Sequence, residues 1–243
     1  MWPFLIVHWF TSLFFQTFYH HRYASHQMFQ LTPRAERVIH VLAFLAQSPS
    51  FLNPRAYAIL HRQHHAYSDT ARDPHSPIRH RTVIGMLRET LTHFDAARRR
   101  DNPELERLAA HTPDWPAFDR WADTWTTRIT LGGVWTVVYL LWAPSPWWLA
   151  ALPVHWLMGP IHGAIVNWAG HKYGYVNHRD TADHSRNTLP VDLLLLGELY
   201  QNNHHHAPTR LNFAHRWFEL DPAYWIIRLL GGLGVLRARP VAR

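Results

Sequence analysis

Apolar positions along this chain gather in long uninterrupted runs instead of a repeating stripe. Residues 1–20 contain no Asp, Glu, Lys or Arg, and the first charge is Arg22. A run of that length matches the roughly 20 residues a helix needs to cross a hydrocarbon core. A second uncharged run covers residues 129–171, between Arg128 and Lys172, about twice the length of one crossing. Ala143-Pro144-Ser145-Pro146 divides it into two legs, with Trp142, Trp147 and Trp148 at the turn, and tryptophan favours the membrane–water interface. Pro153 and Pro160 are expected to kink the second leg, as membrane helices tolerate. A cleaved signal peptide would need a basic start and a small-residue cleavage site, and neither precedes Tyr19-His20-His21. The pattern predicts three membrane-spanning helices, over about residues 1–20, 127–145 and 147–168.

Shorter apolar stretches predict something else. Residues 38–60 are interrupted by Ser48-Pro49-Ser50 and by Asn53-Pro54-Arg55, so two short helices lying at the interface are expected there. Residues 223–236, with Arg228 and several glycines, read as an interfacial helix. Residues 193–196 are too short to cross. The expected fold is all-α: a single integral membrane domain over residues 1–243, with a helical cap on one side. No internal repeat or low-complexity segment is present.

Composition narrows the class. A 47% hydrophobic content with 17% charged residues excludes a disordered chain. Zero cysteines exclude a disulfide scaffold, thiolate zinc sites and iron–sulfur clusters held by the chain's own thiolates. Lys and Arg number 24 against 17 Asp and Glu, a net charge of +7, and Lys172 is the single lysine. With three spans, both charged blocks, residues 22–128 and 172–243, share one side, and the positive-inside rule assigns it to the cytoplasm. Segment 79–100 alone holds six arginines, yet no nucleic-acid-binding motif accompanies it.

The 21 histidines change the picture most. Four clusters stand out: His21-Arg22-Tyr23-Ala24-Ser25-His26, His61-Arg62-Gln63-His64-His65, Asn167-Trp168-Ala169-Gly170-His171 and Gln201-Asn202-Asn203-His204-His205. All four fall on the cytoplasmic side of the expected topology. His61, His64 and His65 are three and four residues apart and share a helix face, as do Gln201, His204 and His205, and Asn167 with His171. His21 and His26 are five apart, and converge only if the helix ends or bends between them. More good ligands than one ion takes imply two metals, and nitrogen-rich ligation without cysteine suits iron, zinc or copper.

These clusters resemble the three histidine boxes of the membrane-bound fatty acid desaturases, particularly the acyl-CoA desaturase branch and its short bacterial members. The likeness runs in order through His21-Arg22…His26, His61-Arg62-Gln63-His64-His65, Asp69-Thr70, Asp73-Pro74-His75-Ser76-Pro77, Asn167…His171 and Asp183-His184-Ser185-Arg186-Asn187. It continues through Gly197-Glu198, Asn202-Asn203-His204-His205 and Arg216-Trp217-Phe218-Glu219-Leu220-Asp221. The resemblance implies a di-iron oxygenase that introduces a cis double bond, Δ9 being the position to test, into an acyl chain carried by CoA or a lipid. Iron ligands would be His21, His26, His61, His64, His65, His171, His204 and His205, with zinc a substitute in a purified sample. Asn167 would hold a metal-bound water. Asp69, Asp73, Asp183 and Glu198 are candidates to accept the outer N–H of ligating imidazoles. One departure stands out: the fourth cluster usually opens with histidine, and here that position is Gln201. Another is that one span, not two, precedes the first box.

His8, His155 and His162 lie within the spans and are expected to be hydrogen-bonded packing residues. His178, His206 and His215 are expected to be non-ligands, as is His75. Dioxygen and an external electron donor, a ferredoxin or cytochrome b5-type carrier with its reductase, complete the implied partners. The implied location is the cell membrane, the bacterial inner membrane for the short type, with the site facing the cytoplasm. A hydroxylase or ketolase on the same metals is the alternative. A metal transporter would carry charged ligands midway through its spans, and these spans hold none.

Overall fold

The computed structural model describes residues 1–238; the last five residues of the expected domain lie outside the described residues. The fold is helical, apart from one antiparallel pair, Phe29–Gln30 with Arg237–Ala238. Helix α1, Trp2–Phe15, runs without a break into a ten-residue π-helix, Gln16–Ser25. Helices α2, Pro33–Gln47, and α3, Pro54–Tyr67, follow, separated by a 3-10 turn at Ser48–Ser50. Residues 38–60 thus form parts of two helices, as the interrupting prolines predict. Asn53 caps α3 by accepting from Ala56 N at 3.0 Å, with Pro54 at the first helical position.

Helix α4, Val83–Arg99, is capped by Thr82 and leads through two short helices, α5 (Pro103–Leu108) and α6 (Pro116–Ala122). Helix α7, Trp125–Trp142, turns at the predicted Pro-Trp segment into a 3-10 stretch, Pro146–Ala151. Then come α8, Leu152–Trp156, and α9, Met158–Gly170, and after a long irregular stretch α10, Gln201–His206, and α11, Pro222–Gly232.

The expected spans appear as helices with different bounds. No single described helix is long and apolar enough to cross a membrane; Pro146–Trp156 and Met158–Gly170 pass the length and composition requirement together, bent by 67°. Pro153 and Pro160 each remove a backbone donor on either side of this break, the reason proline bends helices. The first expected span changes character at Gln16, where the helix widens from i→i+4 to i→i+5 bonding.

Aromatic packing centres the fold on the π-helix: Phe18, Tyr19, Phe29, Tyr200, Phe213 and Ile227 form one buried cluster. Leu13, Leu195, Leu199 and Ala223 form another. By contrast α7 leaves Trp125, Ile129, Leu140, Leu141 and Trp142 exposed.

Candidate metal centre

The π-helix answers the spacing problem posed by His21 and His26. Its hydrogen bonds join residues five apart, and His26 N donates to His21 O at 3.2 Å. The helix widens, and only then ends, so both rings turn to the same side. There they meet His61 and His65 of α3 and His204 of α10, all five offering nitrogens within 4.8 Å of one another. Nε2–Nε2 separations are 2.6 Å for His26 and His61, 3.0 Å for His61 and His65, 2.9 Å for His65 and His204, and 3.0 Å for His21 and His204. His64, His171 and His205 form a second group, with His64 and His205 Nε2 atoms 3.2 Å apart.

All eight histidines singled out in the sequence are therefore brought together, in two sets. The spacing alone suggests that His61, His64 and His65 act as one face. The structure divides them, since neighbours in each doublet point to different groups: His65 and His204 to the first, His64 and His205 to the second.

Behind the rings stand carboxylates. His64 Nδ1 donates to Asp73 at 2.8 Å, His171 Nδ1 to Asp69 at 2.9 Å, His205 Nδ1 to Asp183 at 2.5 Å and His21 Nδ1 to Glu198 at 2.5 Å. All four carboxylates proposed for this role pair with a box histidine. Burial by itself pushes Asp69 up, but the bond and charge of His171 outweigh it and hold the acid at about 2. Glu198, likewise raised by burial, is brought down to about 2 by His21 and Arg22. Asp183 is lowered in the same way by His205.

These bonds decide what the other ring nitrogens can do. A neutral imidazole has one N–H; where a carboxylate holds it at Nδ1, Nε2 is a bare lone pair. Burial, reinforced by neighbouring rings, drives His26, His61, His64, His65 and His204 well below 6.5, so these rings are neutral at pH 7. Two facing lone pairs, as on His64 and His205, repel unless a cation lies between them. Metal–nitrogen bonds of about 2.1 Å leave adjacent ligand nitrogens about 3 Å apart, the spacing seen. His171 Nε2 is buried with no hydrogen-bond partner. The donor set fits a first-row transition metal in each group.

Gln201 donates from Nε2 to Glu198 O at 2.7 Å, leaving its amide oxygen as the free ligand-type atom. It packs over Gly170, where a Cβ would come within 2.4 Å of Gln201 Cγ; this close approach seats α9 against α10. Asn167, one turn before His171, lines a cavity together with Gln201, His21, His61 and His75.

Several features were not legible beforehand. Arg22 is fully buried, bonded to Glu198 at 2.9 Å and Asp221 at 2.7 Å, and lies over the Phe213 ring. His75 packs 4.5 Å from His64 with its Nε2 unpartnered. His178, Asp180 and His206 meet at the surface, with the two rings stacked 3.7 Å apart; their distance in sequence hid the contact. His8 and His155 are hydrogen-bonded packing histidines as expected, sharing a 2.6 Å Nδ1–Nδ1 contact. His162 is not, for neither of its ring nitrogens has a partner.

The cavity encloses about 1280 Å³. Its walls include Leu13, Leu60, Met86, Phe94, Ala164 and Val166, together with Arg98 and Arg128, both paired with Asp123.

Histidine groups backed by carboxylates beside an apolar cavity have the donor chemistry of an oxidative metal centre, and comparison with known proteins gives the family. The fatty acid desaturase family model matches residues 1–236, so the chain belongs to the fatty acid desaturase family and is an oxidoreductase. It is 30% identical to a Delta-9 desaturase-like 2 protein of Arabidopsis thaliana, over 90% of this chain and 70% of that protein. It is 27% identical to an sn-1 stearoyl-lipid 9-desaturase of Anabaena variabilis, over 95% of this chain and 80% of that protein. A hex-5-enoyl-[acyl-carrier protein] acetylenase of Moorena producens is also 27% identical, over 89% of this chain and 69% of that protein.

Proposed function

We propose that this chain is a membrane di-iron desaturase that places a double bond in a saturated acyl chain held in the cavity beneath the two histidine groups. One observation carries the proposal: two groups of clustered imidazoles adjoin a largely apolar cavity of about 1280 Å³ that His21 and His61 help to line. His21, His26, His61, His65 and His204 would hold one iron; His64, His171 and His205 would hold the other, with Asn167 or Gln201 at a bound water. Iron bound there supplies oxidation of an unactivated C–H bond at the expense of dioxygen and two electrons.

The chain's own residues do the rest. Asp69, Asp73, Asp183 and Glu198 hold protons at Nδ1 and so keep each Nε2 free to ligate. Thr17 and Arg22 both bond Glu198 Oε1, fixing the carboxylate that orients His21. Leu13, Leu60, Met86 and Phe94 give the acyl chain an apolar wall and exclude water. Arg98 and Arg128 mark the head-group end, and an adjacent pocket lined by Arg99, Arg100 and Arg120 together with Asp95, Asp119 and Asp123 offers guanidinium groups to a phosphate-bearing carrier or lipid. The stearoyl-lipid 9-desaturase relatives favour an acyl-lipid substrate and the Δ9 position.

The same reading takes the chain as one domain in the cell membrane, crossing at α1, at α7 and at the bent pair α8–α9, with the arginine-rich side and the metals facing the cytoplasm. The exposed apolar face of α7 supports it, since a surface that apolar is stable only against lipid or another protein. An external one-electron carrier supplies reducing equivalents.

Expression in a host lacking unsaturated fatty acids, followed by mass analysis of its lipids, tests the proposal. Products lighter by two hydrogens are expected, with about two irons per chain in the purified protein. Products heavier by one oxygen would replace desaturation with hydroxylation.

A further inference from the structure

A third group of ligand-type side chains lies apart from the two histidine groups and from the cavity. His178, Asp180 and His206 offer nitrogen and oxygen atoms that all lie within 4.8 Å of one another. His206 Nδ1 is 3.1 Å from Asp180 Oδ1, and the His178 and His206 rings stack at 3.7 Å. His215 packs edge-on to His178 at 4.6 Å, but its Nδ1 accepts from Arg210 at 3.4 Å, which leaves it outside the set.

Backbone bonding, not a chance meeting of surface side chains, brings the three together. Asn202 is fully buried and stands one turn before His206 on the same face of α10. Its Oδ1 accepts from the backbone N–H of Asn177 at 2.9 Å and of His178 at 2.8 Å. Its amide N–H donates in return to His178 O at 2.9 Å. The segment is thereby fixed on α10 beside His206. Two imidazoles and a carboxylate, without a thiol, are a donor set for zinc and its first-row neighbours. Metal bonds of about 2.0–2.2 Å leave neighbouring ligand atoms about 3 Å apart, as His206 Nδ1 and Asp180 Oδ1 are. Histidine's outer torsion is broad, so the stacked rings open toward a shared ion at little cost. The His206 and Asp180 side chains are 37% and 69% exposed, so an ion arrives directly from water.

We propose that His178, Asp180 and His206 form a further cation site, of zinc type, with water completing the coordination. An ion held there staples residues 178–180 to α10. Asp183, three residues further along, bonds His205 at 2.5 Å, so the staple also steadies the carboxylate behind the second histidine group.

The test titrates the iron-loaded full chain, in lipid nanodiscs, with zinc chloride in a calorimeter. One zinc per chain is expected to bind without release of iron, measured by elemental analysis of the same sample. His178→Ala and His206→Ala should each weaken this binding by about tenfold or more, since loss of even an outer partner of a metal costs that much. Both variants should keep their iron and the zinc-free thermal unfolding midpoint, which rules out misfolding as the cause. The deficit of one zinc in the variants is readable whatever metal fills the boxes. Hydrogen exchange at backbone amides 177–184 should slow with zinc in the unaltered chain and not in His206→Ala. Zinc taken up only in exchange for iron, or bound equally by His206→Ala, overturns the site. Zinc bound without slower exchange overturns the staple and leaves the site standing.

Discussion

The two histidine groups are built on different plans. The first has five imidazoles, and Glu198 behind His21 is the one carboxylate bonded to them among the described residues. The second has three imidazoles, and a carboxylate stands behind every one: Asp73, Asp69 and Asp183. A carboxylate on the outer nitrogen raises a ring's basicity and locks its orientation. One group gains its hold on a cation from number, the other from the charge behind each ring. Three protein ligands with open positions is also the usual form of a reactive metal site, whereas a crowded set is closed. On the proposed reading, the three-imidazole group is the one that leaves room for an exogenous ligand.

Removing a ligand ring tests the comparison most severely. His64→Ala and His204→Ala are each expected to abolish desaturation while leaving membrane insertion intact. The second group, with three rings, should lose its iron entirely in His64→Ala, and iron quantification would reveal equal losses if the groups were equivalent. Next in size is the buried network behind the first group. Glu198→Gln strips Arg22 of one partner, and breaking a buried ion pair costs about 3–5 kcal/mol; the thermal unfolding midpoint should fall sharply. Asp183→Asn should instead weaken metal binding at the second group by about 10–100-fold with a smaller change in unfolding, measured by competition with a chelator.

Acid is expected to act on the fold through its buried rings. Burial lowers His26, His61, His64, His65 and His204 below their unfolded value of 6.5. Below that pH the unfolded chain binds protons that the folded chain excludes, so stability is full above pH 6.5 and falls as the pH drops beneath it. Each ring contributes up to about 1.4 kcal/mol per pH unit, and unfolding midpoints of metal-free protein between pH 7.5 and 5 should record the slope. A flat profile would mean that the rings are not buried as described. The smallest effect is expected from Gln201→His, which adds an imidazole near the two groups and should slow iron loss to chelator.

Legibility differed between the two groups for a physical reason. His61, His64 and His65, and His204 with His205, were marked by local spacing, because a ligand helix repeats its contacts at three and four residues. The division of His64 from His65, and of His204 from His205, was invisible, because adjacent residues on a helix point about 100° apart and only the neighbouring helices fix what each one meets. His21 and His26 defied an α-helical count until the π-helix supplied a five-residue turn. His162 read as an ordinary packing residue, since no pattern along the chain records which buried nitrogen lacks a partner.

Much was settled by the amino-acid order alone: the uncharged apolar runs, the absence of thiols, the histidine boxes and the acidic residues set near them. Those are local properties, carried by a few neighbouring side chains and by the cost of burying charge. Tertiary structure decided which imidazoles share a centre, which carboxylate stands behind each, how Arg22 is neutralised out of water, and where the cavity runs. Most of these join residues tens to hundreds of positions apart, and their geometry exists only once α3, α9, α10 and the π-helix have packed together.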